Sequence, residues 1–151
     1  MTYRIRKLTT QDVEVCHDIQ HTSHFAMSEY LWTPQMWNFI ARTLTDSWVV
    51  IDEKDEVIGY TVGLIRNAEE FDGELAYYWM DFCVKKERQN DEAGSSLVDF
   101  LKEQYPFQYA YMQEKNHIAI QFAIDKSDWH IDKTIHGHYK DGSNAHLISY
   151  P

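Results

Sequence analysis

Met80-Asp81-Phe82-Cys83-Val84-Lys85-Lys86-Glu87-Arg88-Gln89-Asn90-Asp91-Glu92-Ala93-Gly94-Ser95-Ser96-Leu97 is the stretch on which the reading of this chain turns. Its first five residues close an aromatic-rich strand, Tyr77 to Val84. From Ala93 to Gln104 the pattern becomes helical, with Ala93, Leu97 and Phe100 or Leu101 on one face, and Tyr105-Pro106 stops it. Strand, charged loop and helix therefore follow one another within about thirty residues.

Before this unit, Tyr3 to Leu8 reads as a strand ended by Thr9-Thr10, whose hydroxyls suit the start of a helix with Val13, Cys16 and Ile19, or Val15 and Ile19, on its apolar side. Thr33-Pro34 starts a second helix, with Thr33 as the cap and Pro34 at the first helical position. Its expected buried face is Met36, Trp37, Ile40 and Leu44. Trp48 to Ile51 and Val57 to Ile65 form an antiparallel hairpin about the turn Asp52-Glu53-Lys54-Asp55, and the acidic run Glu69 to Glu74 is a loop. Beyond the central unit come a strand, Tyr109 to Met112, and a helix, His117 to Ile124. A closing hairpin about Lys140-Asp141-Gly142-Ser143 follows, flanked by Tyr139 and by His146 to Ile148. This order predicts a single α/β (α+β) domain over residues 1–151, a mixed, mostly antiparallel sheet with helices on both faces.

The formal net charge of -10 disfavours nucleic acid and anionic membranes, because phosphate neutralisation needs Lys and Arg. It would suit a cationic acceptor or simple solubility. Cys16 and Cys83 are too few for a disulfide framework, and no apolar run has the length of a signal or a membrane span, so the expected location is the cytoplasm. His17, His21 and His24 share a helical face if the first helix extends that far, but without a further ligand pattern they read as a solvated face and no metal site is expected. His136-Gly137-His138 reads as an edge or loop feature.

The opening Ile5 to Asp12, the central Met80 to Leu97 and the later Asn116-His117-Ile118-Ala119-Ile120-Gln121-Phe122 together resemble the GNAT N-acyltransferases along the whole chain. In that family a pyrophosphate rests on the backbone N–H groups of a helix start, after an Arg or Gln and a glycine-rich turn. The resemblance implies acetyl-CoA as donor, held by Phe82, Cys83, Val84, Gln89, Asn90, Asp91, Glu92, Ala93, Gly94 and Ser95, with Asn116 on the pantetheine arm. Gln89 matches the family's Arg or Gln and Gly94 its last glycine, a register with Arg88 as the family Arg needing one extra residue, while Glu92 falls where a glycine is usual and Asp91 adds a second acid. Lys85, Lys86 and Arg88 are the cations able to offset them.

By the same resemblance, Asp81 is the acid that withdraws a proton from an amine through water. The tyrosine that many members use to protonate the departing thiolate is Ala123 here, leaving Tyr139 or Tyr111 for that role. The implied activity is direct acetyl transfer to a small-molecule or protein amine, with a homo-oligomer or assembly partner as an option. The alternative, supported by Glu92 and Ala123, is an inactive GNAT-fold binding or structural subunit, viral or otherwise.

Overall fold

The computed structural model describes residues 2–23, 31–89 and 91–151. The chain forms two compact units, residues 1–64 with 80–100, and residues 65–79 with 101–151.

In the first unit β1 (Arg4–Lys7) pairs antiparallel with β2 (Trp48–Ile51), and β2 with the opening of β3 (Val57–Ala68). A short 3-10 turn, Thr10–Asp12, leads into α1 (Val13–Ser23), and α2 (Pro34–Thr43) follows. The Thr33 hydroxyl accepts the Met36 N–H at 3.2 Å, the cap expected ahead of Pro34. Strand alternation sorts the packing: Val49 and Ile51 join Cys16, Ile19, Trp37 and Ile40 in one core, while Trp48 points the other way and meets Phe100 edge-on at 4.7 Å. Phe100 lies on α3 (Ala93–Gln104), so helices cover both faces of this part of the sheet.

β4 (Glu74–Val84) runs through both units, as β3 does. In the second unit Tyr77, Tyr78 and Trp79 of β4 pair parallel with Gln108, Tyr109 and Ala110 of β5 (Gln108–Gln113). After α4 (His117–Ser127), β6 (His130–Ile135) pairs antiparallel with β7 (Ala145–Tyr150), and β7 with β5. Among the described residues the strand order is β1-β2-β3-β4-β5-β7-β6, seven strands of which β4 is the fourth. One side of this unit stacks Tyr77 on Tyr105 at 4.0 Å and sets Trp79 against Trp129 at 4.8 Å. A second core gathers Ala68, Ala76, Tyr109 and Leu147 with Phe71, Tyr78 and Tyr111.

Three local expectations change. Met36 is 46% exposed, because the buried stripe of α2 is Trp37, Ile40, Ala41 and Leu44, at i, i+3, i+4 and i+7. The acidic loop shrinks to a 3-10 turn, Glu69–Phe71, with Asp72 and Gly73 at positive φ, and Glu74 already belongs to β4. The closing hairpin is built from β6 and β7 with Tyr139 in their connection instead of on its flank, while His136 and His138 lie in that connection as a loop feature, as expected, and Gly137 there takes φ 64°.

Candidate functional site

The carboxylate of Asp81 sits half-buried near the end of β4 and is bonded from three directions. Tyr60 of β3 donates its hydroxyl to Oδ2 at 2.6 Å, and Gln20 of α1 donates Nε2 to the same oxygen at 3.0 Å. The Phe82 N–H donates to Oδ1 at 3.0 Å. Gln20 is held in turn, its Oε1 accepting the Trp37 indole N–H at 3.1 Å and the Trp32 backbone N–H at 3.0 Å. Burial, followed by the charge of Asp81, drives the Tyr60 hydroxyl well above its ordinary range, so Tyr60 stays protonated as a fixed donor to the carboxylate. Neither Gln20 nor Tyr60 was anticipated. A signal for Gln20 existed, since it occupies the i+4 place of the buried stripe Cys16, Ile19, Gln20.

Cys83 and Val84 are buried, and burial pushes the Cys83 thiol far up, so it is a packing group rather than a nucleophile. Gly59 of β3 lets the end of β4 approach closely. A Cβ there would stand 3.0 Å from the Cys83 carbonyl oxygen and 3.1 Å from a Val84 methyl.

The loop between β4 and α3 is tied down on both flanks. The Lys86 N–H donates to the Ser23 hydroxyl at 2.9 Å, and the Gln89 amide donates to the carbonyls of Val84 at 3.0 Å and Ser23 at 3.3 Å. Arg88 donates Nε to Asp91 at 2.6 Å and a terminal nitrogen to Asp52 at 2.8 Å. Asp52 is buried in the β2–β3 turn and also accepts the N–H groups of Lys54 and Glu56, both at 3.0 Å. Asp91 is thus charge-compensated by its own neighbour, while Glu92 is exposed and its carboxylate bonds to none of the described residues. Asn90 lies outside the described residues.

Helix α3 begins at Ala93, so the N–H groups of Ala93, Gly94 and Ser95 precede the first intrahelical bonds and stand at the positive end of the helix dipole. Ala93 is fully buried, Gly94 and Ser95 half-buried. These donors suit a phosphate, and in the described residues no carboxylate occupies them.

In the second unit Asn116 caps α4, its Oδ1 accepting the Ala119 N–H at 3.3 Å. Ala123 is buried, so α4 offers no acid at that place. Tyr139 lies half-buried in the β6–β7 connection, its N–H bonded to the Ser143 carbonyl at 3.2 Å and its ring edge-on to His138, which stacks on Tyr111 at 5.2 Å. Burial raises the Tyr111 hydroxyl to about 12. His17 and His21 stack on each other at 3.9 Å, and His24 lies outside the described residues.

A protein-family model described as the Acetyltransferase (GNAT) family matches residues 13–125. Comparison with curated protein sequences finds no match. Among solved structures the chain is similar to Arabidopsis thaliana NAA60 in complex with acetyl-CoA, at 16% identity and TM-score 0.84, over 99% of both chains. It is similar to Ard1 from Thermoplasma volcanium at 19% identity and TM-score 0.80, covering 99% of this chain and 97% of that one. For the ribosomal-protein-S18-alanine N-acetyltransferase from Escherichia coli the values are 13% and 0.75, over 99% and 94%.

Proposed function

The chain belongs to the acetyltransferase (GNAT) family, and on that premise we propose that it transfers the acetyl group of acetyl-CoA directly to an amine. The observation that carries this reading is the start of α3, where the Ala93, Gly94 and Ser95 amides are uncovered by any described carboxylate and Asp91 is neutralised by Arg88. One similar protein, NAA60 from Arabidopsis thaliana, was solved with acetyl-CoA bound.

Bound acetyl-CoA supplies an activated thioester, and this chain's residues do the rest. The α3 amides hold the pyrophosphate, and Asn116 contacts the pantetheine arm. Asp81, kept in place by Tyr60, Gln20 and the Phe82 amide, takes the proton of the attacking amine through a water. The amine nitrogen bonds to the acyl carbon, the carbon–sulfur bond breaks, and Tyr139 returns a proton to the sulfur. Most of the acceleration comes from positioning the two substrates. The acceptor is a small-molecule or protein amine. Both cysteines are buried and free, in keeping with a reducing cytoplasm, and no helix among the described residues is long and apolar enough to cross a membrane.

Thermal shift with acetyl-CoA, followed by thiol release in the presence of a panel of amines and peptides, tests the proposal. A ligand that binds only the folded chain raises its melting temperature. A shift with amine-dependent thiol release is expected. No shift would overturn the donor reading and leave the binding-subunit alternative that Ala123 suggests.

A further inference from the structure

Arg88 carries two carboxylates at once, the buried Asp52 and Asp91 of the donor loop. Asp52, 1% exposed, spends one oxygen on the Lys54 and Glu56 amides and the other on Arg88, so it is an anchor built into the β2–β3 turn. The Tyr3 side chain adds a further hydrogen bond to the guanidinium. From that anchor Arg88 reaches Asp91, three residues on in the loop that leads to the α3 amides. An Arg in a phosphate-binding loop would ordinarily be read as a ligand for the phosphates. Here its Nε and one terminal nitrogen are spent on protein carboxylates.

We infer that Arg88 is a positioning residue for the donor loop: pinned to Asp52, it cancels the charge of Asp91 and fixes the backbone ahead of α3, without touching acetyl-CoA. The inference rests on the acetyl-CoA reading above and names what keeps an acidic loop competent for a phosphate. Two consequences separate this role from a plain structural one. Loss of the clamp exposes the pyrophosphate to the unpaired Asp91, a repulsion that salt weakens. Neutralising Asp91 then compensates for the missing Arg, which repair of packing would not do.

Arg88→Met alone would strand the buried Asp52 carboxylate and could unfold the chain. Asp52→Asn/Arg88→Met avoids this, because an Asn side-chain oxygen still accepts the turn amides. Acetyl-CoA affinity is measured by calorimetry in low and high salt for the wild type, this double variant and the triple variant with Asp91→Asn. The double variant is expected to bind about tenfold more weakly at low salt, with the deficit shrinking in high salt. The triple variant is expected to return to within about threefold of the wild type. Wild-type affinity in the double variant, or no recovery in the triple, overturns the role of Arg88 alone. Failure of the wild type to bind overturns the donor reading together with it.

Discussion

Asp81, near the end of β4, accepts hydrogen bonds from an α1 amide, a β3 hydroxyl and the Phe82 backbone, whereas Glu92, just before α3, is exposed and its carboxylate bonds to no described residue. Between them Asp91 is paired with Arg88. These three carboxylates, no more than twelve residues apart, therefore meet three environments: held, cancelled and solvated. A carboxylate's effect on a nearby substrate depends on how much of its charge solvent and partners leave uncompensated. The held acid is the one able to act on a substrate at a fixed place, and the solvated acid is the one whose influence salt will screen.

The largest expected effect comes from breaking the held end. Asp81→Ala leaves the donors of Gln20, Tyr60 and Phe82 without their acceptor, at about 1–3 kcal/mol for each group that water cannot reach. Asp81→Asn keeps the volume and removes the base, so turnover should fall by about 10²- to 10⁴-fold with little change in acetyl-CoA affinity. Thiol-release kinetics beside a melting curve distinguish the two contributions. Full turnover in Asp81→Asn would make Asp81 a structural group only.

Next in size is Gly59→Ala, which tests the same end of β4 by packing instead of charge. The new methyl would lie 3.0 Å from both the Cys83 carbonyl oxygen and a Val50 methyl. Overpacking of this kind costs about 1–3 kcal/mol, or about 2–4 °C in melting temperature per kcal/mol for a chain of this size. An unchanged melting temperature would mean that β3 and β4 yield easily there, and with them the fixed position of Asp81.

Asp12 gives a third, smaller test, since it too is a held carboxylate. It accepts two hydrogen bonds from Arg6, at 2.8 and 2.9 Å, and one from the Thr9 N–H at 2.8 Å. Burial pushes its carboxyl upward, but the bonds from Arg6 and Thr9 outweigh that and hold it below the ordinary range. A lowered native value means the stabilisation is complete above the unfolded carboxyl's value, about pH 4, and is lost as pH falls through the native one. Arg6 is about half exposed, with 47% of its side chain accessible, so solvent screening limits the gain to about 1 kcal/mol. Acid denaturation of Asp12→Asn should start from a lower plateau and show a shallower slope below pH 4. A slope equal to that of the wild type would remove Asp12 from the acid transition.

What could be read from the chain in advance follows the range of the interactions. Thr33-Pro34 announces α2 because a cap and a proline act within one turn, and Ala93 to Gln104 matches α3 because its stripe and its stop are both local. Asp81 stands out on its strand, but its partners Gln20 and Tyr60 lie 61 and 21 residues away, and nothing near Asp81 specifies them. The same holds for Asp52, 36 residues before Arg88, which turns an apparent phosphate ligand inward. The turn signal Lys140-Asp141-Gly142-Ser143 puts Tyr139 on the flank of a closing hairpin, whereas the positive φ of Gly137 and Gly142 puts it in the long β6–β7 connection. Met36 stands one helical position from the buried Trp37, about 100° around α2, which is enough to carry an apolar side chain from the core to solvent.

The smallest effect belongs to Glu92. Its carboxylate is solvated, so its repulsion of a pyrophosphate on the α3 amides acts mainly through water and falls off within a Debye length, about 10 Å at 0.1 M salt. Glu92→Gln keeps the backbone and side-chain length, making it a cleaner probe of charge than Glu92→Gly, which also loosens the helix start. The expected gain in acetyl-CoA affinity is about two- to threefold at low salt, vanishing near 1 M, with the melting temperature of the free protein unchanged within about 1 °C. Glycine should tighten binding by a similar electrostatic amount, less what is lost in ordering a more mobile turn. Calorimetry at two salt concentrations measures both. A gain above tenfold that persists in high salt would place the carboxylate on the phosphate's own donors, so that Glu92 would be held as firmly as Asp81 and the contrast between the two regions would fail.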